Sequence, residues 1–183
     1  MNFSNKKEET VDLTKIIDMV NKIPVNPNMA NYIDNFIKSL DQNSKNLLKP
    51  YLAKSIYKLL DDYKLSDAVN AAKLLDFDNE ALKQTIMEMI VEKAKSNFVY
   101  TVLIIEDFHL TQEDIKPIIP TLREGFRLAL ADLGSSIIRD GLDIGIPKEI
   151  VIEDIKKVIE DIKSKNLSYA SILEYHLHEL QNS

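Results

Sequence analysis

There is no cysteine in this chain of 183 residues. That absence removes disulfides, thiol catalysis and cysteine-ligated zinc or iron–sulfur centres together. Only 4 glycines and 6 prolines are present, too few for a protein built from many strands and tight turns, so helix is favoured. Long apolar runs are missing as well. The longest, Phe98 to Ile105, spans 8 residues with Thr101 inside it, far short of a bilayer crossing. Basic charge is in deficit, with a net charge of -6, which argues against a protein that tracks nucleic-acid phosphates. The N-terminus, Met-Asn-Phe-Ser-Asn-Lys-Lys-Glu-Glu, lacks the apolar core of a signal peptide. The expectation is a cytoplasmic protein with neither nucleic acid nor membrane as partner.

The length allows a single domain with a substantial core. Residues 1–9 are polar and charged and read as a disordered tail, leaving 10–183 as one all-helical domain. A short signal recurs between helical patterns: Asp62-Tyr63-Lys64-Leu65-Ser66, Asp107-Phe108-His109-Leu110-Thr111 and Asp143-Ile144-Gly145-Ile146-Pro147. Each copy ends on a residue suited to opening a helix: Ser and Thr cap first-turn amides, and Pro fits the first helical position. The copies begin 45 and then 36 residues apart, an inequality that favours an irregular bundle over a regular solenoid.

Between these signals the periodicity predicts helices over Val11–Lys22, Met29–Leu40 (burying Tyr32, Ile33, Phe36, Ile37 and Leu40) and Asn43–Asp62, the last bent or restarted at Pro50. Further helices are expected over Asp67–Leu75 and, capped by Asp78, over Asn79–Lys95, with Leu82, Ile86, Met89 and Ile90 inward. Phe98–Ile105 has the β-branched and aromatic content of a strand. It has no second strand to pair with, and so reads as a buried helix. Thr111 opens a long helix to Leu133 that Pro117 and Pro120 kink or split, Gly134 ends it, and a helical turn runs to Arg139. From Pro147, two consecutive heptads, Val151–Lys157 and Val158–Ser164, match at six of seven positions. They place Ile152, Ile155, Ile159 and Ile162 at the spacing of a coiled-coil seam. That seam either packs on its own domain or forms a homodimer. Glu153, Asp154, Glu160 and Asp161 read as ion-pair decoration of a solvated face. Asn166 ends this helix, and Ser168 caps a last one to Gln181. The fold expected is all-α, with eight or nine helices packed as antiparallel hairpins in an irregular bundle or a short HEAT-like stack.

Chemistry-bearing constellations are sparse. His176 and His178 are two apart and point to opposite sides of a helix, so they cannot grip one metal. Asp76-Phe77-Asp78-Asn79-Glu80 begins like a calcium loop, but Ala81 stands where Gly is required and Met87 where Glu is. His109 beside Glu106 and Asp107 has the ingredients of acid–base chemistry, yet Lys64 and Gly145 occupy its place in the other copies. No catalytic, cofactor-binding or metal-ligating residue is assigned and no cofactor is expected. Arg123, Arg127 and Arg139 are the only arginines among 23 basic residues. Arginine suits planar contact with carboxylate or phosphate, so these three and Asp143 are the interaction candidates, with intrahelical pairing to Glu124 and Asp132 as the plainer role for the first two.

From Leu59 onward the order of features resembles the MA3 domain, a helical-hairpin module of translation-initiation scaffolds and their inhibitors. The residues that carry it are Leu59-Leu60 and Tyr63, Leu65 with Asp67-Ala68-Val69, Leu110-Thr111 with Glu113-Asp114-Ile115, Gly125-Phe126, and Asp132-Leu133 with Asp143 and Pro147. The resemblance implies stacked helical hairpins and an RNA-helicase partner met by acidic loop residues. The expected function is non-enzymatic protein binding, as adaptor, regulator or scaffold, through a helical groove. The alternative is a small-molecule-binding or enzymatic domain with an apolar pocket lined by Phe98, Tyr100, Phe108 and Phe126.

Overall fold

The computed structural model describes residues 12–75, 79–165 and 170–183, with the side chains of 79–81 excepted. The tail 1–9, the start of the first helix at Val11, the cap at Asp78 and the boundary at Asn166 and Ser168 lie outside the described residues. Every regular element within them is helical. In chain order they are α1 (Leu13–Val20), α2 (Met29–Ser39), α3 (Gln42–Asp61), α4 (Leu65–Leu74), α5 (Asn79–Lys93), α6 (Phe98–Asp107), α7 (Gln112–Ile115), α8 (Ile119–Leu133), α9 (Ile138–Asp143), α10 (Lys148–Ser164) and α11 (Ala170–Asn182). Single 3-10 turns, Lys116–Ile118 and Gly134–Ile137, precede and follow α8. Among the described residues no helix is long and apolar enough to cross a membrane.

Local chemistry sets the boundaries. The apolar run that resembled a strand is α6, because a helix closes its own backbone hydrogen bonds where a lone strand cannot. Asn97 caps it, its side chain accepting from the Tyr100 amide at 3.1 Å. Thr111 and Asp114 form a reciprocal capping box, the Thr111 amide donating to Asp114 Oδ2 at 2.8 Å and the Asp114 amide to Thr111 Oγ1 at 3.3 Å. Pro117 and Pro120 then split the expected long helix into α7, a 3-10 turn and α8, since each proline removes a donor and crowds the carbonyl four residues back. Pro50 does not interrupt α3, which runs unbroken over 20 residues from an Asp41 cap.

The recurring signal is real at the backbone level, but its first copy is shifted by one residue. Tyr63, His109 and Gly145 all have left-handed backbones, with φ of 59°, 53° and 88°. In each case the next amide reaches back five residues: Lys64 to Leu59, Leu110 to Ile105 and Ile146 to Gly141. A second bond closes inside it, from Tyr63 to Leu60, His109 to Glu106 and Gly145 to Leu142. This is the six-residue helix stop that satisfies the last carbonyls of a helix. The equivalent residues are therefore Tyr63, His109 and Gly145. Leu65 already belongs to α4, so Ser66 is not the cap it was expected to be.

The chain groups into two compact units, Met1–Thr85 and Ile86–Ser183, where the sequence reads as one domain. The division falls inside α5 and has no linker composition to announce it. In the first unit α1 packs on α2 and α3, and α4 packs on α2 and α3. The core includes Ile16, Val20, Ile33, Ile37, Leu52, Ile56 and Leu59. Two polar bonds satisfy carbonyls at the end of α1 and in the turn after it: Ser55 Oγ donates to the Val20 carbonyl at 2.8 Å and Lys64 Nζ to that of Pro24 at 2.9 Å. The stripe expected on α2 is narrower than its spacing suggested. Tyr32 and Phe36 are exposed and lean on each other with ring centroids 5.9 Å apart, because the neighbouring helices cover only the line of Ala30, Ile33 and Ile37.

In the second unit α8 and α10 pack on each other, α6 lies on α8, and α11 on α10. The core is Phe98, Val102 and Ile105 from α6, Leu122, Phe126 and Leu130 from α8, and Val151, Ile155, Val158, Ile159 and Ile162 from α10. Three of the four seam isoleucines are thus buried inside this unit, and Ile152 is half-buried. A Cβ on Gly125 would lie 2.0 Å from the Ala94 carbonyl oxygen, so α8 meets that backbone at a distance only glycine permits.

Gly125→Ala should therefore destabilise the protein by about 2–3 kcal/mol despite alanine's better helix propensity, read from denaturant unfolding. His109→Gly should act oppositely. Its side chain is exposed and its backbone left-handed, so relief of about 1 kcal/mol should raise the melting temperature by about 2–4 °C. An unchanged or lower melting temperature would show that the histidine side chain contributes something the backbone argument omits.

Candidate functional site

Two features of the second unit draw together the residues of interest: a buried ion cluster between α8 and α10, and an apolar strip on the outer side of α8. The cluster centres on Asp154, whose side chain is 0% exposed. It lies three residues after Val151 and four before Val158, on the buried line of α10. Arg123 on α8 places Nε 3.0 and 2.8 Å from the two carboxylate oxygens. Arg127, one turn further on, stands with its Nε 3.9 Å from Asp154 Oδ1. The Nη2 of Arg123 lies 2.8 Å from Glu153 Oε2, an ion pair off the hydrogen-bond line that leaves this buried nitrogen without a hydrogen-bond acceptor. Lys157 Nζ completes the group by donating to Glu153 Oε1 at 2.9 Å.

Charge follows this geometry. The Asp154 carboxylate raises the Arg123 pKa above its ordinary value, so the guanidinium stays charged at any working pH. Lys157 first, and then Arg123, hold the Glu153 carboxyl below the usual glutamate range. The sequence reading of Asp154 as solvated decoration is corrected: it is buried, and the Arg123 guanidinium opposite it replaces the charge and hydrogen bonds that lost water would supply. Nor do Arg123 and Arg127 pair within their helix. Glu124 is taken by Lys95 at 2.6 Å, and Asp132 has no partner among the described residues. The other two interaction candidates stand apart: Arg139 Nε and Asp143 Oδ2 form an exposed pair at 3.4 Å, one turn apart on α9, of the kind that contributes little.

The three histidines stand apart from both features. His109 is exposed, His176 lies 3.6 Å from Glu179 on its own helix, and His178 meets Asn182. Among the described residues no group of three or more metal-ligating side chains is found. Phe98, Tyr100, Phe108 and Phe126 are buried, and Phe98 meets Phe126 edge to face with centroids 5.7 Å apart.

The apolar strip was not anticipated. Leu128, Leu133 and Ile172 are 48%, 53% and 57% exposed, with Val99 and Leu103 uncovered on α6. Three hollows adjoin one another here. One of about 490 Å³ lies between α8 and α10, lined by Leu128, Ala131 and Ile162 among others. A second, of about 460 Å³, joins Ala131 and Leu133 to Ile172 on α11. A third, of about 190 Å³, joins Leu128 and Leu133 to Val99 on α6. Leu128 was legible in principle. It sits two residues from both Phe126 and Leu130, which turns it away from the line that buries them.

Truncating one partner of the cluster should be costlier than removing both. Arg123→Met should destabilise by about 3–5 kcal/mol by stranding a buried carboxylate, and Arg123→Met with Asp154→Leu should recover most of that loss in denaturant unfolding. On acidification, Glu153 contributes stability above its unfolded value of 4.5 and loses it as pH falls through its lowered folded value. A Glu153→Gln variant should therefore show a flatter decline in melting temperature below about pH 4.5.

No protein-family model, curated protein or solved structure gives a significant match to this chain, so its chemistry is read from its own residues.

Proposed function

We propose that this chain is a protein-interaction module whose contact surface is the apolar strip of α6, α8 and α11. One observation carries the reading: large apolar side chains stand exposed at Leu128, Leu133 and Ile172, with Leu128 and Leu133 lining one hollow and Leu133 and Ile172 another. Single exposed leucines are ordinary, whereas contiguous ones rimmed by charge mark binding surfaces. Arg127, at the edge of the hollow between α8 and α10, supplies a residue type enriched at such interfaces. A homodimer through Ile152, Ile155, Ile159 and Ile162 would have to lift α10 from α8 and α11, whereas the strip needs no opening. The MA3 resemblance belongs beside this proposal, and an RNA helicase bound at the strip would support it.

The test is affinity capture with the intact chain and with Leu128→Glu and Leu133→Glu. Both positions are half-exposed, so stability should change by no more than about 0.5 kcal/mol. A stoichiometric partner held by the native chain and lost by the folded variants is the expected result. The same proteins captured by all three would move the contact surface elsewhere.

A further inference from the structure

We propose that α11 is a detachable latch: it lifts from α10 and from the end of α8 while the rest of the second unit stays folded, and its release enlarges the apolar surface around Leu133. Burial sets the weakness of its hold. Of its 13 residues two are buried, Ala170 and Leu173, so nothing from Glu174 to Asn182 is enclosed. α10, on which it packs, buries six of 17, among them the Asp154 that Arg123 ties to α8. Ile172 and Tyr175 face solvent, and Leu177 and Leu180 are half-covered. Two polar ties reach the rest of the unit from α11 and the residue after it: Lys163 with Glu174, and Lys148 Nζ donating to Ser183 Oγ at 3.1 Å. Both are exposed, and such ties contribute little. Tyr175 with Glu179, His176 with Glu179 and Asn182 with His178 are contacts internal to the helix. A segment held by few buried side chains opens at a lower free energy than global unfolding. A free helix of this length is marginal in water, so the released segment also unwinds. Ile172 and Leu173 close one side of the hollow that Ala131, Leu133, Gly134 and Ser135 line on the other. Departure of α11 therefore bares that end of α8 and the flank of α10 beneath it. The opening stands on burial alone; its use in binding rests on the protein-interaction reading of the strip.

Amide hydrogen exchange of the full chain measures the opening. The α11 amides beyond its first turn should exchange as one group, roughly a hundredfold faster than those of α8 and α10. Low concentrations of urea should speed α8 and α10 steeply and α11 little, since the smaller opening exposes less surface. Leu122→Ala, in the core at the other end of α8 from the hollow, should speed α8 and α10 roughly thirtyfold or more. It should leave α11 unchanged, because that contact persists when the latch is open. Equal acceleration of α11 would show that it opens only with the whole unit, and would overturn the latch. Protection that falls off gradually toward Asn182 would do the same, as fraying of a terminus. Leu173→Ala then loosens the latch, and should raise the fluorescence of added anilinonaphthalene sulfonate, a reporter of apolar surface. Adding Leu133→Glu should suppress that gain; no gain, or one that Leu133→Glu leaves intact, would overturn the enlargement of the strip. Capture with the Leu128→Glu and Leu133→Glu variants judges the binding reading separately. Its failure would leave the opening in place, and failure of the exchange test would leave the strip.

Discussion

Asp154 carries a carboxylate with no exposed surface, and such a group is tolerated only where charge and hydrogen bonds replace its lost water. Arg123 provides both through a single nitrogen placed against two oxygens. The consequence is a register between α8 and α10. Sliding α10 by one turn would set Ile150 or Val158 against the guanidinium and move Asp154 among apolar side chains. Because the register is set, so is the outward turn of Leu128 and Leu133, which share α8 with Arg123. Leu128 lines the hollow between α8 and α10 beside Arg127, so that end of the strip borders the interface the pair holds.

The heptad duplication in α10 gives that pair a limit. Asp161 stands in the second block where Asp154 stands in the first, so a slip of seven residues, about 10 Å of helix, would offer Arg123 an equivalent carboxylate. Charge alone does not choose between them. The choice comes from the left-handed stop at Gly145, which leaves only Ile146 and Pro147 between the end of that turn and Lys148. Gly125 adds a second pin, since its approach to the Ala94 carbonyl allows no longitudinal drift of α8. Side-chain charge, a turn and a missing Cβ each remove a different freedom.

Much of this was legible in the sequence. The helix at Phe98–Asp107 followed from the want of a strand partner, the split at Pro117 and Pro120 from missing donors, and the inward line of Leu82, Ile86, Met89 and Ile90 from spacing. What stayed hidden depends on facing elements. Tyr32 and Phe36 satisfy the helical stripe as well as Ile33 does, but burial needs a neighbour over them. Asp154 shares its helical line with Val151 and Val158, yet a carboxylate beside lysines on one helix reads as solvated until Arg123 is known to stand opposite. The recurring signal misled by one residue because its letters align on Leu65, Leu110 and Ile146, while the backbone aligns on Tyr63, His109 and Gly145.

The scarcity of arginine fits the same physical logic. A lysine at position 123 would present a point charge and a flexible stem, and could not lay one planar group against both oxygens of Asp154 and Glu153 together. Lysine suffices where the pair is exposed, as at Lys157 with Glu153 or Lys95 with Glu124.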